Sequence, residues 1–152
     1  MEKIIDSEKI EFIRQQAIDC FNKTWDYLEM KDRDSYNDIE MIHCAHTSRY
    51  LWGLVGGDLE RERGEWLISK VYYNLGIGDR ALVHANACHD ICVRSGIADF
   101  DLSFAYECLA NAYKLLGDEV KYVEFKQKAI ESLKGIADPG DLEYTTSEIM
   151  KI

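Results

Sequence analysis

Two Leu-Gly pairs, Leu75-Gly76 and Leu116-Gly117, stand 41 residues apart, and each closes a long apolar run at helical spacing. A glycine placed there supplies the left-handed backbone that stops a helix cheaply. A short turn and a second helical run follow each pair, so the stretch 65–117 is a helix hairpin written twice. Repeats of this length signal units that stack and share a core. The tail repeats the message in another register. Gly96-Ile97-Ala98-Asp99 recurs 39 residues later as Gly135-Ile136-Ala137-Asp138, and an Asp-Leu pair follows each copy (Asp101-Leu102 and Asp141-Leu142).

The periodicity predicts an all-α chain of about seven helices. The first spans 7–30, capped by Ser7, with Ile10, Ile13, Ala17, Phe21, Trp25 and Leu28 on one stripe. The second spans 35–55 and stops at Gly56-Gly57. The third, 58–75, is apolar over much of its circumference, as a helix buried between neighbours is. The fourth, 79–95, carries the small residues Ala81, Ala85, Cys88 and Cys92 in a row, which lets a partner helix approach closely. Asp99 or Asp101 caps the fifth. Its stripe of Tyr106, Leu109, Tyr113 and Leu116 faces Tyr122, Phe125 and Ala129 of the sixth, 118–134. The single proline, Pro139, opens a terminal helix with Leu142, Thr145, Ile149 and Ile152 on one side. One domain results: an N-terminal hairpin 1–57, a first repeat 58–96, a second repeat 97–137, and a capping helix 138–152.

A formal charge of −10 repels phosphate backbones and anionic lipid, which argues against nucleic-acid or membrane partners. The opening residues have neither the apolar core of a leader peptide nor the length of an anchor. Five cysteines inside helical runs suit free thiols in a reducing cytoplasm better than a disulfide framework.

The hairpins resemble the tetratricopeptide repeat family. With the turn glycine at Gly117, the residues Tyr106, Leu109, Ala110, Tyr113 and Ala129 fall on the family's positions, while Tyr122 replaces an alanine. With the glycine at Gly76, the matches are Ile68, Ser69, Tyr72, Ala81 and Cys88, and Trp66 sits one place beyond the expected tryptophan. The departures are a period longer than the family's 34 or so and no proline after the first repeat. The resemblance implies antiparallel hairpins stacked as a short right-handed solenoid. The whole chain also resembles an uncharacterised bacterial family of this type, for which a fold and no activity is implied.

In that family the first helix of each hairpin lines a concave groove that takes peptides. The matching positions are Arg63, Trp66, Lys70, Tyr73, Asn74, Glu107, Asn111 and Lys114. Asparagines there would hold an extended backbone and the cations a carboxylate. They do not reproduce the family's carboxylate clamp. The expected function is therefore a non-catalytic interaction module for a protein or peptide segment, with a homodimer left open. The plainer readings are a solvated helix face, or a groove filled by the chain's own first hairpin through Trp25 or Trp52.

Two other constellations compete. His43 and His46, with Tyr50 and Trp52 nearby, would suit a small-molecule or metal sensor. His84, Cys88 and Cys92 form a row at i, i+4 and i+8. The first has no third ligand fixed by spacing, and the second lacks the close cysteine spacing of a zinc site and puts Cys88 at a packing position, so neither is expected to hold a metal, and no cofactor is implied. No phosphate loop, nucleophile elbow or paired acid and base is present, which leaves an enzyme the least supported reading.

Overall fold

The computed structural model describes residues 6–152. Among them are seven α-helices and no strand: α1 Ser7–Glu29, α2 Ser35–Val55, α3 Asp58–Asn74, α4 Gly78–Ser95, α5 Asp99–Leu115, α6 Glu119–Ser132 and α7 Pro139–Ile149. A single 3-10 turn, Leu133–Gly135, leads from α6 towards α7. None of the described helices is long and apolar enough to cross a membrane. Residues 1–5, part of the stretch read above for a leader or anchor, lie outside the described residues.

Aspartates write most of the helix starts. Asp6, Asp34, Asp118 and Asp138 each accept the backbone N–H three residues on, at 2.9, 2.8, 3.1 and 2.9 Å, satisfying a donor that the first turn leaves free. The cap of α1 is thus Asp6, and Ser7, expected to cap, is the first helical residue. Neither aspartate expected at α5 caps it in this way. Asp99 is the first residue of α5 with its backbone in the left-handed region, φ +61°, and accepts from the N–H of Phe100 (2.7 Å) and of Ala137 (3.4 Å). That second bond joins the two copies of the Gly-Ile-Ala-Asp motif. Asp101 is buried and turned towards Arg63.

Both Leu-Gly pairs end helices as expected, with Gly76 and Gly117 at φ +74° and +75°. Each hairpin, α1–α2, α3–α4 and α5–α6, packs on itself, and α2–α3 and α4–α5 join one hairpin to the next. The first helices α1, α3, α5 and α7 also touch in series. The backbones of the second helices α2, α4 and α6 stay farther apart, with no Cα of one within 8 Å of another's, and α2 meets α4 only through side chains such as His46 and His84. A stack closed along one side and splayed along the other is concave on the first-helix side, and α7 continues that side beyond the last hairpin.

The core follows the small residues. Ala81, Ala85 and Cys88 are completely buried, and Cys92, Ala105 and Leu109 complete the seam between α4 and α5. Met41, Ala45, Ile68 and Val71 fill the seam between α2 and α3. Tyr113 stacks on Phe125, with ring centroids 5.6 Å apart and planes 8° apart. Leu116 departs from the expected stripe: it lies just past α5 and is exposed. In the tail Ile149 and Thr145 are buried, whereas Leu142, expected to dock with them, sits exposed near the start of α7. On α1 only Ala17 and Thr24 are fully buried, because a helix at the end of a stack has neighbours on one side alone.

Candidate peptide-binding groove

One aromatic ring from each first helix forms a row across the concave side. Trp25 of α1 meets Trp66 of α3 at 5.8 Å between centroids, Trp66 meets Phe104 of α5 at 5.8 Å, and Phe104 meets Tyr144 of α7 at 6.3 Å. Tilted contacts at these distances are favourable aromatic geometry. The four residues are 41, 38 and 40 positions apart, so the row is the repeat expressed in side chains. The ammonium of Lys70 lies over the row, 5.4 Å from the Trp66 ring and 5.7 Å from that of Trp25. The indole Nε1 of Trp66 is buried without a hydrogen-bond partner.

Cavities open on both sides of the row. Trp25, Trp66, Lys70, Glu107, Tyr144 and Glu148 bound one of about 240 Å³, together with Phe104. It shares Lys70, Glu107 and Glu148 with a neighbour of about 150 Å³ that extends to Tyr73, Asn111 and Lys151. On the other side, Phe21, Glu62, Arg63, Trp66 and Asp101 line a third cavity of about 150 Å³, closed by Phe100 and Phe104.

Of the groove residues expected from the sequence, Lys70, Tyr73, Glu107 and Asn111 are brought together around one cavity. Glu107 is nearly buried, and that burial pushes its carboxyl up to about 7; Glu148 adds to the rise and Lys70 and Lys151 oppose it. Trp66 and Arg63 line the third cavity, but Arg63 is no free cation. Its Nε and one terminal nitrogen donate to the two oxygens of Asp101 at 3.0 and 3.1 Å, and it lies over the Phe100 ring. Two residues leave the expected set. The Asn74 amide donates to the Lys70 carbonyl of its own helix at 2.8 Å. The Lys114 ammonium leans over Tyr122 of α6, 5.6 Å from its ring. The first hairpin does cover part of Trp66, through Trp25. Trp52 instead faces Ile18, Phe21 and Arg63.

The alternative site at His43, His46, Tyr50 and Trp52 does not assemble. His43 and Tyr50 are exposed, and Trp52 lies against α1, near Arg14. Residues at i and i+3 or i+4 share a face only roughly, and α3 draws His46 alone inward. Its Nε2 is 2.9 Å from the Tyr72 hydroxyl, and its ring centroid is 5.3 Å from that of His84. Burial, then the neighbouring His84, lowers its pKa. His84 Nδ1 contacts Glu65 at 2.6 Å, and Arg49 donates to the same carboxylate at 3.0 Å. Burial alone would raise the Glu65 pKa, but the His84 and Arg49 contacts outweigh it and hold the pKa below the usual range.

That contact removes His84 from the row with Cys88 and Cys92. The two cysteines point instead into the seam, where α3 presents Glu62. The ligand atoms of Glu62, Cys88 and Cys92 lie within 4.8 Å of one another. Cys88 Sγ donates to Glu62 Oε1 at 3.2 Å, and Glu62 Oε2 has no partner. Burial, with the adjacent Asp101 and Cys92, pushes the Glu62 carboxyl up to about 9. Glu62, Phe104, Tyr144, Glu148 and Lys151 are site residues that sequence reasoning missed. Phe104 and Tyr144 were legible as the 40-residue aromatic spacing; Glu62 looked like one more surface acid in a charged run, Glu60-Arg61-Glu62-Arg63. Compared with known protein families, with curated proteins and with solved structures, the chain matches none.

Proposed function

We propose that the protein is a non-catalytic interaction module, a tetratricopeptide-like stack whose first-helix side holds an extended, carboxylate-bearing peptide or protein segment. The observation that carries this reading is an unpaired cation on an aromatic floor. Lys70 has no salt-bridge partner among the described residues and lies over the Trp25 and Trp66 rings. The other cations of the groove are already matched, Arg63 by Asp101 and Lys151 by Glu148 at 2.7 Å. A ligand that offers a carboxylate to Lys70 would pair that cation, while its apolar side chains cover the rings. Among the described residues of this side, Glu107 and Lys70 have no activated nucleophile beside them, since burial raises the Cys108 thiol, and this favours binding over chemistry.

The test is selection of a displayed random-peptide library on the wild-type protein, with counter-selection on Lys70→Glu. Acidic, apolar-flanked peptides should be enriched, and their affinity should fall with added salt because the ion pair is partly exposed. They should lose about tenfold or more on Lys70→Glu, with the melting temperature held. Recovery of peptides that bind both proteins equally would refute the reading.

A further inference from the structure

We infer that Glu62, Cys88 and Cys92 form a buried site for a thiophilic divalent cation of the zinc class. Spacing along the chain hides the site, since the third donor comes from a different helix. Cys88 and Cys92 are one turn apart on α4, so both sulfurs face the same side. Glu62 reaches them from α3. The three donor atoms lie within 4.8 Å of one another, and the three residues are 1%, 0% and 1% exposed. That is close enough for one ion to draw all three in by small rotamer changes.

Two observations separate this cluster from ordinary core cysteines. Glu62 is a fully buried acid whose Oε2 has no hydrogen-bond partner, and an unsatisfied buried carboxyl is costly enough to need a reason. The adjacent guanidinium is not that reason, because Arg63 is engaged by both oxygens of Asp101. The second observation is access. Glu62 also lines the cavity of about 150 Å³ beside Asp101, which has room for water. A fourth ligand, water or the Asp101 carboxylate, can therefore come from the cavity side, as a tetrahedral ion requires.

The donor set selects the ion. Two thiolates and one carboxylate suit zinc and its spectroscopic substitute cobalt, whereas magnesium and calcium prefer all-oxygen shells. Binding replaces the protons of the carboxyl and the two thiols, and it clips α3 to α4 beneath the aromatic row.

The experiment is titration of reduced, chelator-stripped protein with Co²⁺, followed by Zn²⁺. One equivalent of Co²⁺ should produce thiolate-to-cobalt charge-transfer absorption and tetrahedral d–d bands, both erased by Zn²⁺. Zn²⁺ should also raise the melting temperature, since it binds the folded state. The near-isosteric Glu62→Gln, checked for folding by circular dichroism, should weaken cobalt binding about tenfold or more. The charge-transfer band should survive Cys20→Ser with Cys44→Ser and vanish in Cys88→Ser with Cys92→Ser. Wild-type protein that shows no such band would overturn the site without reference to any variant. So would a band that persists without Cys88 and Cys92.

Discussion

Arg63 holds Asp101 in a two-pronged hydrogen bond, 3.0 and 3.1 Å, and so ties α3 to α5 along the wall of the groove. The arginine side chain is 44% exposed and the aspartate 11%, which makes the pair neither a free surface bridge nor a dry one. Removing the guanidinium leaves Asp101 beside Glu62 with no cation between them. In chelator-treated protein, Arg63→Met should therefore cost about 1–2 kcal/mol in urea unfolding, between the values for exposed and buried pairs. Asp101→Asn in the Arg63→Met background should cost less than in wild type. A loss under about half a kcal/mol would class the pair as an ornament of the surface.

The Tyr113–Phe125 stack carries the joint between α5 and α6. Tyr113 is half-buried against a cluster containing Leu109 and Cys108, so Tyr113→Ala should cost about 2–3 kcal/mol, and Tyr113→Phe much less. Leu116→Ala should stay within about half a kcal/mol, as exposed positions do. Equal losses at Tyr113 and Leu116 would show that the exposed leucine packs in solution.

Ile149 is completely buried, and it anchors α7 on α5 and α6. Ile149→Ala should cost about 2 kcal/mol or more by leaving a cavity. Deleting residues 139–152 should lower the melting temperature and promote association, because the last repeat then loses its cover. A truncated chain that stays monomeric with an unchanged melting temperature would mean that the second repeat closes the stack without help.

The hairpin stack was legible because the repeat fixes it twice over. The Leu-Gly pairs end helices, and the small residues of α4 mark the seam. What the pattern did not carry was direction around each helix. Lys114 and Asn74 sit at groove spacing, yet Lys114 finds the Tyr122 ring and Asn74 its own helix carbonyl, both nearer than any ligand. His46 and His84 illustrate the same limit from the other side: each left its own row to meet a partner on a neighbouring helix. Glu62 was invisible because burial of an acid depends on what α4 and α5 place around it.

Glu107 gives the groove a pH dependence whose sign is fixed. Burial raises its carboxyl to about 7 from an ordinary 4.5, with Lys70, Lys151 and Glu148 facing it and the buried Cys108 beside it. Between those two values the folded state holds a proton that the unfolded state has lost. Stability contributed there is full below about 4.5, falls as pH rises, and is gone above about 7. The span corresponds to roughly 3 kcal/mol at most. Glu107→Gln keeps the shape and removes the titration. The stability of wild type relative to this variant should decline by roughly 2–3 kcal/mol between about pH 5 and 8 in paired denaturant titrations. Contributions from Glu62 cancel in that difference, since both proteins contain it. Peptide binding should follow the same proton. With Glu107 neutral, Lys70 faces one carboxylate fewer, so acidic peptides should bind wild type more tightly at pH 6 than at pH 8, and Glu107→Gln should flatten that profile. A stability difference that is level across this range would mean that Glu107 titrates as an ordinary surface acid and that water reaches the floor of the groove.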